Sequence, residues 1–178
     1  MTRAPVCPII KKADSKLTAE ILRQYVHYDP LTGIFTRRIR SGKWGVGSVV
    51  GYKEKRGYVQ VSIFRCKMRA HQLAWLYMTG EWPVLPIDHQ DCDHGNNRFE
   101  NLRLATCAEN SANRRACVTS SSKVKGAFPY RDGKRWTSTI KGPGRKTIYL
   151  GLFDTAEEAN AAYAGAAKVL FGEFARAA

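Results

Sequence analysis

No stretch of the chain strings together the ~18 to 20 apolar residues needed to span a bilayer. The opening residues, MTRAPVCPIIKKADSK, have neither the apolar core nor the small-residue cleavage site of a secretory leader. Together these absences predict a cytoplasmic protein with no membrane partner. Closely spaced thiols are missing too. The five cysteines (Cys7, Cys66, Cys92, Cys107 and Cys117) form an odd set without a Cys-x-x-Cys pair. That spacing argues against a structural zinc, and the odd count argues against a disulfide framework, so reduced thiols are expected. Low-complexity tracts are also lacking, and 44% hydrophobic with 25% charged residues is a globular composition. Acid is scarce: 15 Asp and Glu stand against 29 Lys and Arg, a net charge of +14 over 178 residues. Such a balance predicts an anionic partner, with nucleic acid the first choice.

The acid that is present is densest in one place. From Glu81 to Glu109 there are six acids (Glu81, Asp88, Asp91, Asp93, Glu100, Glu109) and two bases (Arg98, Arg103). Residues 1–60 hold twelve bases and four acids, and residues 123–178 ten and five, so basic flanks enclose an acidic centre. A local acidic pocket in a basic protein suits a hard divalent cation held against a polyanion. The centre, Pro86 to Arg115 (PIDHQDCDHGNNRFENLRLATCAENSANRR), also concentrates His89, Asn97, Asn101, Asn110 and Asn113.

Periodicity organises the rest. Residues 1–16 are expected to be a flexible basic arm whose Lys11, Lys12 and Lys16 touch phosphates. A helix from Leu17 to Tyr25 puts Leu17, Ile21, Leu22 and Tyr25 on one face, with Thr18 as its cap. Asp29, Pro30 and Gly33 predict a turn, followed by alternation through Ile34 and Thr36 and the basic triplet Arg37, Arg38 and Arg40. A glycine-rich loop from Ser41 to Gly51 exposes Lys43 and Trp44. Tyr58 to Phe64 is read as a strand, and Ala70 to Met78 as a helix stopped by Gly80 and Pro83. A strand at Val84 to His89, a polar loop at Gln90 to Arg98, a strand at Leu102 to Ala105 and a helix from Cys107 to about Ala116 then make a ββα unit, with Thr106 and Glu109 as its capping box. A serine-rich linker at 118–123 separates residues 17–117 from 124–178. In that second part Trp136, Ser138 and Ile140 alternate with Arg135, Thr137, Thr139 and Lys141, a strand covers Thr147 to Phe153, and a helix follows Thr155, with Glu158 completing its capping box.

Neighbouring residues on a strand point to opposite faces unless the strand ends there. Asp88 and His89 can therefore divide the work, one binding metal and the other facing a water. Neutral His suits deprotonation of water near pH 7, and a cation held by oxygen ligands neutralises charge on a scissile phosphate. The amide oxygen of Asn110 could complete a metal site with Asp88. Asn101 could bond the backbone near His89 and hold the imidazole.

The segment IDHQDCDHGNNRFENLRLATCAENSANRR resembles the HNH endonuclease motif of phage and intron-homing proteins: Asp-His, a loop ending Asn-Arg, then Glu-Asn-Leu-Arg, Thr, and Glu-Asn on the helix. The resemblance extends through GYVQVSIFRCKMRAHQLAWLYMTGEWP and LTAEILRQYVHYDPLTGIFTRR, covering about residues 17 to 117. It implies an α+β fold with a ββα-metal (His-Me finger) nuclease domain. It implies His89 as general base, Asp88 and Asn110 as ligands of Mg²⁺ (or Mn²⁺), Asn101 as the residue orienting His89, Asn97 as loop structure and Arg98 as a phosphate contact. Asp91 and Cys92 stand where Asn-Gly is usual, and His94 is extra. His71 is read as a packed structural histidine.

VKGAFPYRDGKRWTSTIKGPGRKTIYLGLFDTAEEANAAYAGAAKVLFG resembles the Apetala-two (ethylene-response-factor-like) domain, in which a three-stranded antiparallel sheet enters the major groove, braced by a helix. It implies Lys125, Phe128, Tyr130, Arg135, Thr139, Lys141, Lys146 and Tyr149 on a DNA-facing surface, with Trp136 and Ile140 in the core. Phe128, Tyr130 and Thr147 replace the arginines usual in plant members, so phosphate grip with modest base preference is expected. The combined expectation is an endonuclease that cuts double-stranded DNA one strand per active site, as a monomer or homodimer. Its basic N-terminal segment (Arg37, Arg38, Arg40, Lys43) and its C-terminal sheet help choose the target. The competing expectation is a DNA-binding regulator with a catalytically silent fold.

Overall fold

A computed structural model describes residues 17–64, 66–116, 122–142 and 146–176. The arm at 1–16 and residues 117–121 of the serine-rich linker region lie outside them. The chain divides into two compact units, and the break falls between Leu104 and Ala105, ahead of the serine-rich stretch. Among the described residues no helix is long and apolar enough to cross a membrane.

The first unit starts with α1 (Ala19–Tyr25), whose first turn is closed by the Thr18 hydroxyl accepting from Ile21 N at 3.3 Å. Strands β1 (Val26–Asp29), β2 (Ile34–Arg37) and β3 (Val49–Val50) form one antiparallel sheet. A second consists of β4 (Tyr52–Lys53), β5 (Val59–Ile63) and β6 (Cys66–Arg69). Helix α2 (Ala70–Thr79) follows, and Gly80 ends it in the left-handed conformation at φ 85°. Its buried residues Ala70, Leu73, Ala74 and Leu76 join Leu22, Tyr28, Phe35, Val61 and Leu102 in one core. Strands β7 (Ile87–His89) and β8 (Leu102–Leu104) pair antiparallel, joined by a loop and a short 3-10 turn at Phe99–Asn101. The strand expected from Val84 begins only at Ile87, after Pro83 and Pro86, which have no N–H to give a ladder.

The second unit starts with α3 (Cys107–Asn113). Its capping box is complete: Thr106 Oγ1 accepts from Glu109 N at 3.3 Å, and Glu109 Oε2 accepts from Thr106 N at 2.7 Å. The helix stops at Asn113, short of Ala116. Strands β9 (Ala127–Pro129), β10 (Trp136–Lys141) and β11 (Thr147–Phe153) form an antiparallel sheet with β10 in the middle. Helix α4 (Ala156–Phe171) is capped by Thr155 and buries Ala156, Ala159, Tyr163 and Ala167, at the three- and four-residue spacing of one helix face. Period two sorts β10 as the sequence suggests: Ser138 and Ile140 are buried. Thr137 stands opposite Phe128, and Thr139 opposite Tyr149.

Gly126, at φ +77°, lies directly under Tyr163, and a Cβ there would meet that ring at 2.1 Å. Gly126→Ala is expected to cost about 2–4 kcal/mol, from left-handed backbone strain together with overpacking against a buried tyrosine. Urea titration of the full chain measures this, and a loss below about 1 kcal/mol contradicts the packing described.

Candidate active site

Strand β7 delivers Asp88 and His89 to opposite sides. The register sets Asp88 across from Arg103 and His89 across from Leu102. Arg103 donates Nε and Nη2 to the same oxygen, Asp88 Oδ2, each at 3.0 Å, and the Asp88 side chain is only 5% exposed. His89 turns the other way, among rings. The His71 ring centroid lies 5.1 Å away and nearly perpendicular, His94 lies at 5.6 Å and Tyr58 at 6.1 Å. His94 stacks flat on Tyr58 at 4.0 Å, and the Arg69 guanidinium lies over Tyr58 at 4.9 Å.

Asn97 is a polar neighbour of the buried imidazole. Asn97 Oδ1 lies 3.3 Å from His89 Nε2, while Asn97 Nδ2 donates to Gly95 O at 3.1 Å. With its amide nitrogen directed to Gly95, Asn97 presents an acceptor to the ring. With Nε2 as the donor to Asn97, the basic lone pair of a neutral ring is on Nδ1. Asn97 is itself fixed from behind. Its carbonyl accepts from Tyr28 Oη at 2.6 Å, and Phe99 N donates to Pro30 O at 3.1 Å. The turn at Asp29–Gly33 presses on the same backbone, since a Cβ on Gly33 would lie 2.5 Å from Asn97 C. The sequence reading gave the orienting role to Asn101; the ring's contact is with Asn97.

Asn101 instead ties down the loop. Its carbonyl accepts from Gln90 N at 2.9 Å, Oδ1 accepts from Asp91 N at 3.1 Å, and Nδ2 donates to Asp91 Oδ1 and Asn96 O. Its side chain thus bonds the backbone at Asp91, two residues after His89. Asp91 is the hub of this loop. Burial acts to raise its pKa, but hydrogen bonds from Asn96, Asp93 N and Asn101 outweigh it and hold the carboxyl below the usual range. Arg98 is exposed at the end of the loop.

Burial, then the nearby His94, holds His89 below the usual histidine pKa, although the Asn97 bond and the charges of Asp91 and Asp88 oppose the shift. His71, 8% exposed and with Nδ1 lacking a hydrogen-bond partner, is pushed down to about 3, first by burial and then by His89, Arg69 and His94. Both rings are therefore neutral at pH 7. A depressed folded-state pKa contributes stability that is fully present above pH ~6.5 and is lost as pH falls toward the folded value. His71→Leu is expected to remove up to about 1.4 kcal/mol per pH unit from the acid dependence of unfolding between pH 6 and 4. Urea titrations at three pH values check this, and an unchanged slope in the variant counts against a neutral buried His71.

Among the described residues no group of three His, Cys, Asp or Glu is placed to hold a metal ion. Asp88 offers a hard carboxylate oxygen donor, the chemistry Mg²⁺ takes when it relies on one or two carboxylates, waters and substrate phosphates. Asn110, half-buried on α3, belongs to the second unit, and its pairing with Asp88 is a reading of sequence alone.

The expected DNA-facing residues separate by environment. Arg38, Arg40, Lys43, Phe128, Tyr130, Lys141, Lys146 and Tyr149 are exposed, and Thr139 is half-buried. Arg37 is drawn inward, donating to Ser48 Oγ at 3.1 Å and Val49 O at 3.0 Å. Lys125 reaches Ala112 O and the face of Tyr163. Arg135 is exposed but paired to Asp132 at 2.7 Å and lies over Tyr130. Sequence reasoning did not single out Tyr28, Tyr58, Arg103 or the ring contact of Asn97. Each depends on partners too far along the chain for spacing to reveal.

A family model described as HNH endonuclease matches residues 68–112, the stretch from the end of β6 to α3. An uncharacterized HNH endonuclease of Acanthamoeba polyphaga mimivirus is 35% identical over 136 residues, which is 75% of this chain and 69% of that protein. No solved structure matches the chain.

Proposed function

Because the chain belongs to the HNH endonuclease family and is a phosphodiester-hydrolysing nuclease, we propose that it cuts double-stranded DNA with His89 as the general base and with Mg²⁺ or Mn²⁺ as the required cation. The observation that carries this reading is the buried, neutral imidazole of His89, with Nε2 against Asn97 Oδ1 at 3.3 Å. With Nε2 donating to Asn97, Nδ1 holds the basic lone pair and takes the proton of an attacking water. Asn97 positions the ring, and Asn101 positions the loop that carries Asn97.

Asp88 is the proposed carboxylate ligand. Arg103 fixes it by holding Oδ2. When bound, the cation neutralises charge on the scissile phosphate and on the leaving oxygen. Arg98, exposed at the loop end, contacts a neighbouring phosphate. One such site per chain nicks one strand in each engagement.

The C-terminal unit is proposed to bind DNA through the outer face of its sheet. Phe128, Tyr130, Thr139, Lys141, Lys146 and Tyr149 are the residues on offer, and the sequence resemblance to the Apetala-two domain supports that assignment. Lys125 and Arg135 are weaker candidates because both already have partners inside the unit.

Incubation with supercoiled plasmid tests the proposal. Open-circular product in Mg²⁺ or Mn²⁺ and none in EDTA is the expected result. Cleavage undiminished by EDTA removes the cation from the account.

A further inference from the structure

In the first unit, the β2–β3 hairpin carries an unusual tip. Ser41 and Trp44 exchange both backbone hydrogen bonds at 3.0 Å, so the indole sits on a formed turn. The arms are fastened below it by Gly47 N to Arg37 O at 2.8 Å, Arg37 N to Ser48 O at 2.9 Å and the Arg37 guanidinium. Trp44 is nevertheless 50% exposed, as are Val46 at 69%, two residues on, and Val49 at 60%, in β3. Arg37 lies 5.4 Å and Lys43 5.1 Å from the Trp44 ring centre. Between Asp29 and Glu54 the sequence has five bases (Arg37, Arg38, Arg40, Lys43, Lys53) and no acid. The tip is also slim: a Cβ on Gly42, Gly45 or Gly47 would meet nothing within 4 Å.

We propose that this hairpin is a second DNA-gripping element: its narrow tip enters a groove of the duplex, Trp44 lies against the bases, and Arg38, Arg40 and Lys43 hold the flanking phosphates. Charge complementarity names the occupant, because a surface with cations and no acid over 24 residues (30–53) matches a polyanion. Phosphate alone would not call for a half-exposed indole and an exposed Val46 at the tip. Duplex grooves admit a two-stranded ribbon, and apolar side chains placed there pack on base edges or between steps. The proposal rests on the reading of DNA as the substrate.

Binding of the full chain to a 30-base-pair random-sequence duplex in EDTA, followed by fluorescence anisotropy, tests it. Trp44→Ala is expected to weaken binding about tenfold and Trp44→Phe no more than about threefold, in line with loss and retention of an aromatic contact. Both variants keep the wild-type melting curve, because the ring lies outside the core. The dependence of log Kd on log salt keeps its slope in Trp44→Ala, whereas Lys43→Ala lowers the slope by about one. Wild-type affinity in Trp44→Ala overturns this inference alone. So does a salt slope reduced in Trp44→Ala as in Lys43→Ala, since the indole would then serve only to hold the lysine. Failure of the wild type to bind any duplex at low salt overturns the DNA reading and this inference with it.

Discussion

Arg103→Ala is expected to cost about 3–5 kcal/mol of folding stability, because it removes the guanidinium from a buried ion pair and leaves the Asp88 charge in place. Two geometric facts set that size. The Asp88 side chain is 5% exposed, so solvent screens the pair little, and Arg103 Nε and Nη2 both reach Asp88 Oδ2 at 3.0 Å. Arg103→Lys keeps the charge but loses the planar fork, so an intermediate loss follows. The exposed Arg135–Asp132 pair is a useful contrast: it is shorter, at 2.7 Å, yet lies in solvent, where screening and side-chain entropy leave little net effect. Denaturant titration of the variants measures the difference. A loss below about 1 kcal/mol on Arg103→Ala means that the β7–β8 pair does not depend on this ion pair.

The second large effect is on rate. His89→Ala is expected to slow single-turnover cleavage by about 10²–10⁴-fold, the range supplied by a positioned general base. That corresponds to roughly 3 to 5 kcal/mol of barrier. The direction of the histidine's pKa shift adds a second observable. A base works in its neutral form, and burial holds His89 below the ordinary value, so the wild-type rate falls with acid only below pH ~6.5. His89→Ala loses that acid limb along with the rate. A variant that keeps the limb locates the titrating base elsewhere.

Much of the frame was legible because local chemistry specifies it. Thr106 with Glu109 and Thr155 with Glu158 announce helix starts, Gly80 announces a stop, and the alternation from Trp136 to Lys141 announces a half-buried strand. Strands β3 and β4 are two residues each, too short for any period, and their pairing is decided by the neighbouring strands β2 and β5. The mixed fold with small antiparallel sheets therefore followed from sequence, while its short strands did not.

At the site, the motif picked out Asp88 and His89, and β7 brings them to opposite faces. Which asparagine meets the ring was not readable. Asn97 and Asn101 are the same residue type four positions apart, and the choice is made by a chain of turns. Asp91 Oδ1 accepts from Asp93 N, Asp93 Oδ1 accepts from Gly95 N, and Asn97 Nδ2 then closes on Gly95 O. Tyr28 completes the selection from 69 residues away by bonding Asn97 O. Nor could spacing reveal that Arg103 faces Asp88, since a twelve-residue connection (90–101) between β7 and β8 leaves the register open.

The most direct test of the central claim is a side-by-side relaxation of supercoiled plasmid by wild type and His89→Ala in Mg²⁺, at equal concentrations of protein shown to be folded. The account predicts open-circular product from the wild type and no product above background from His89→Ala over the same time. Equal relaxation by the two proteins would contradict it.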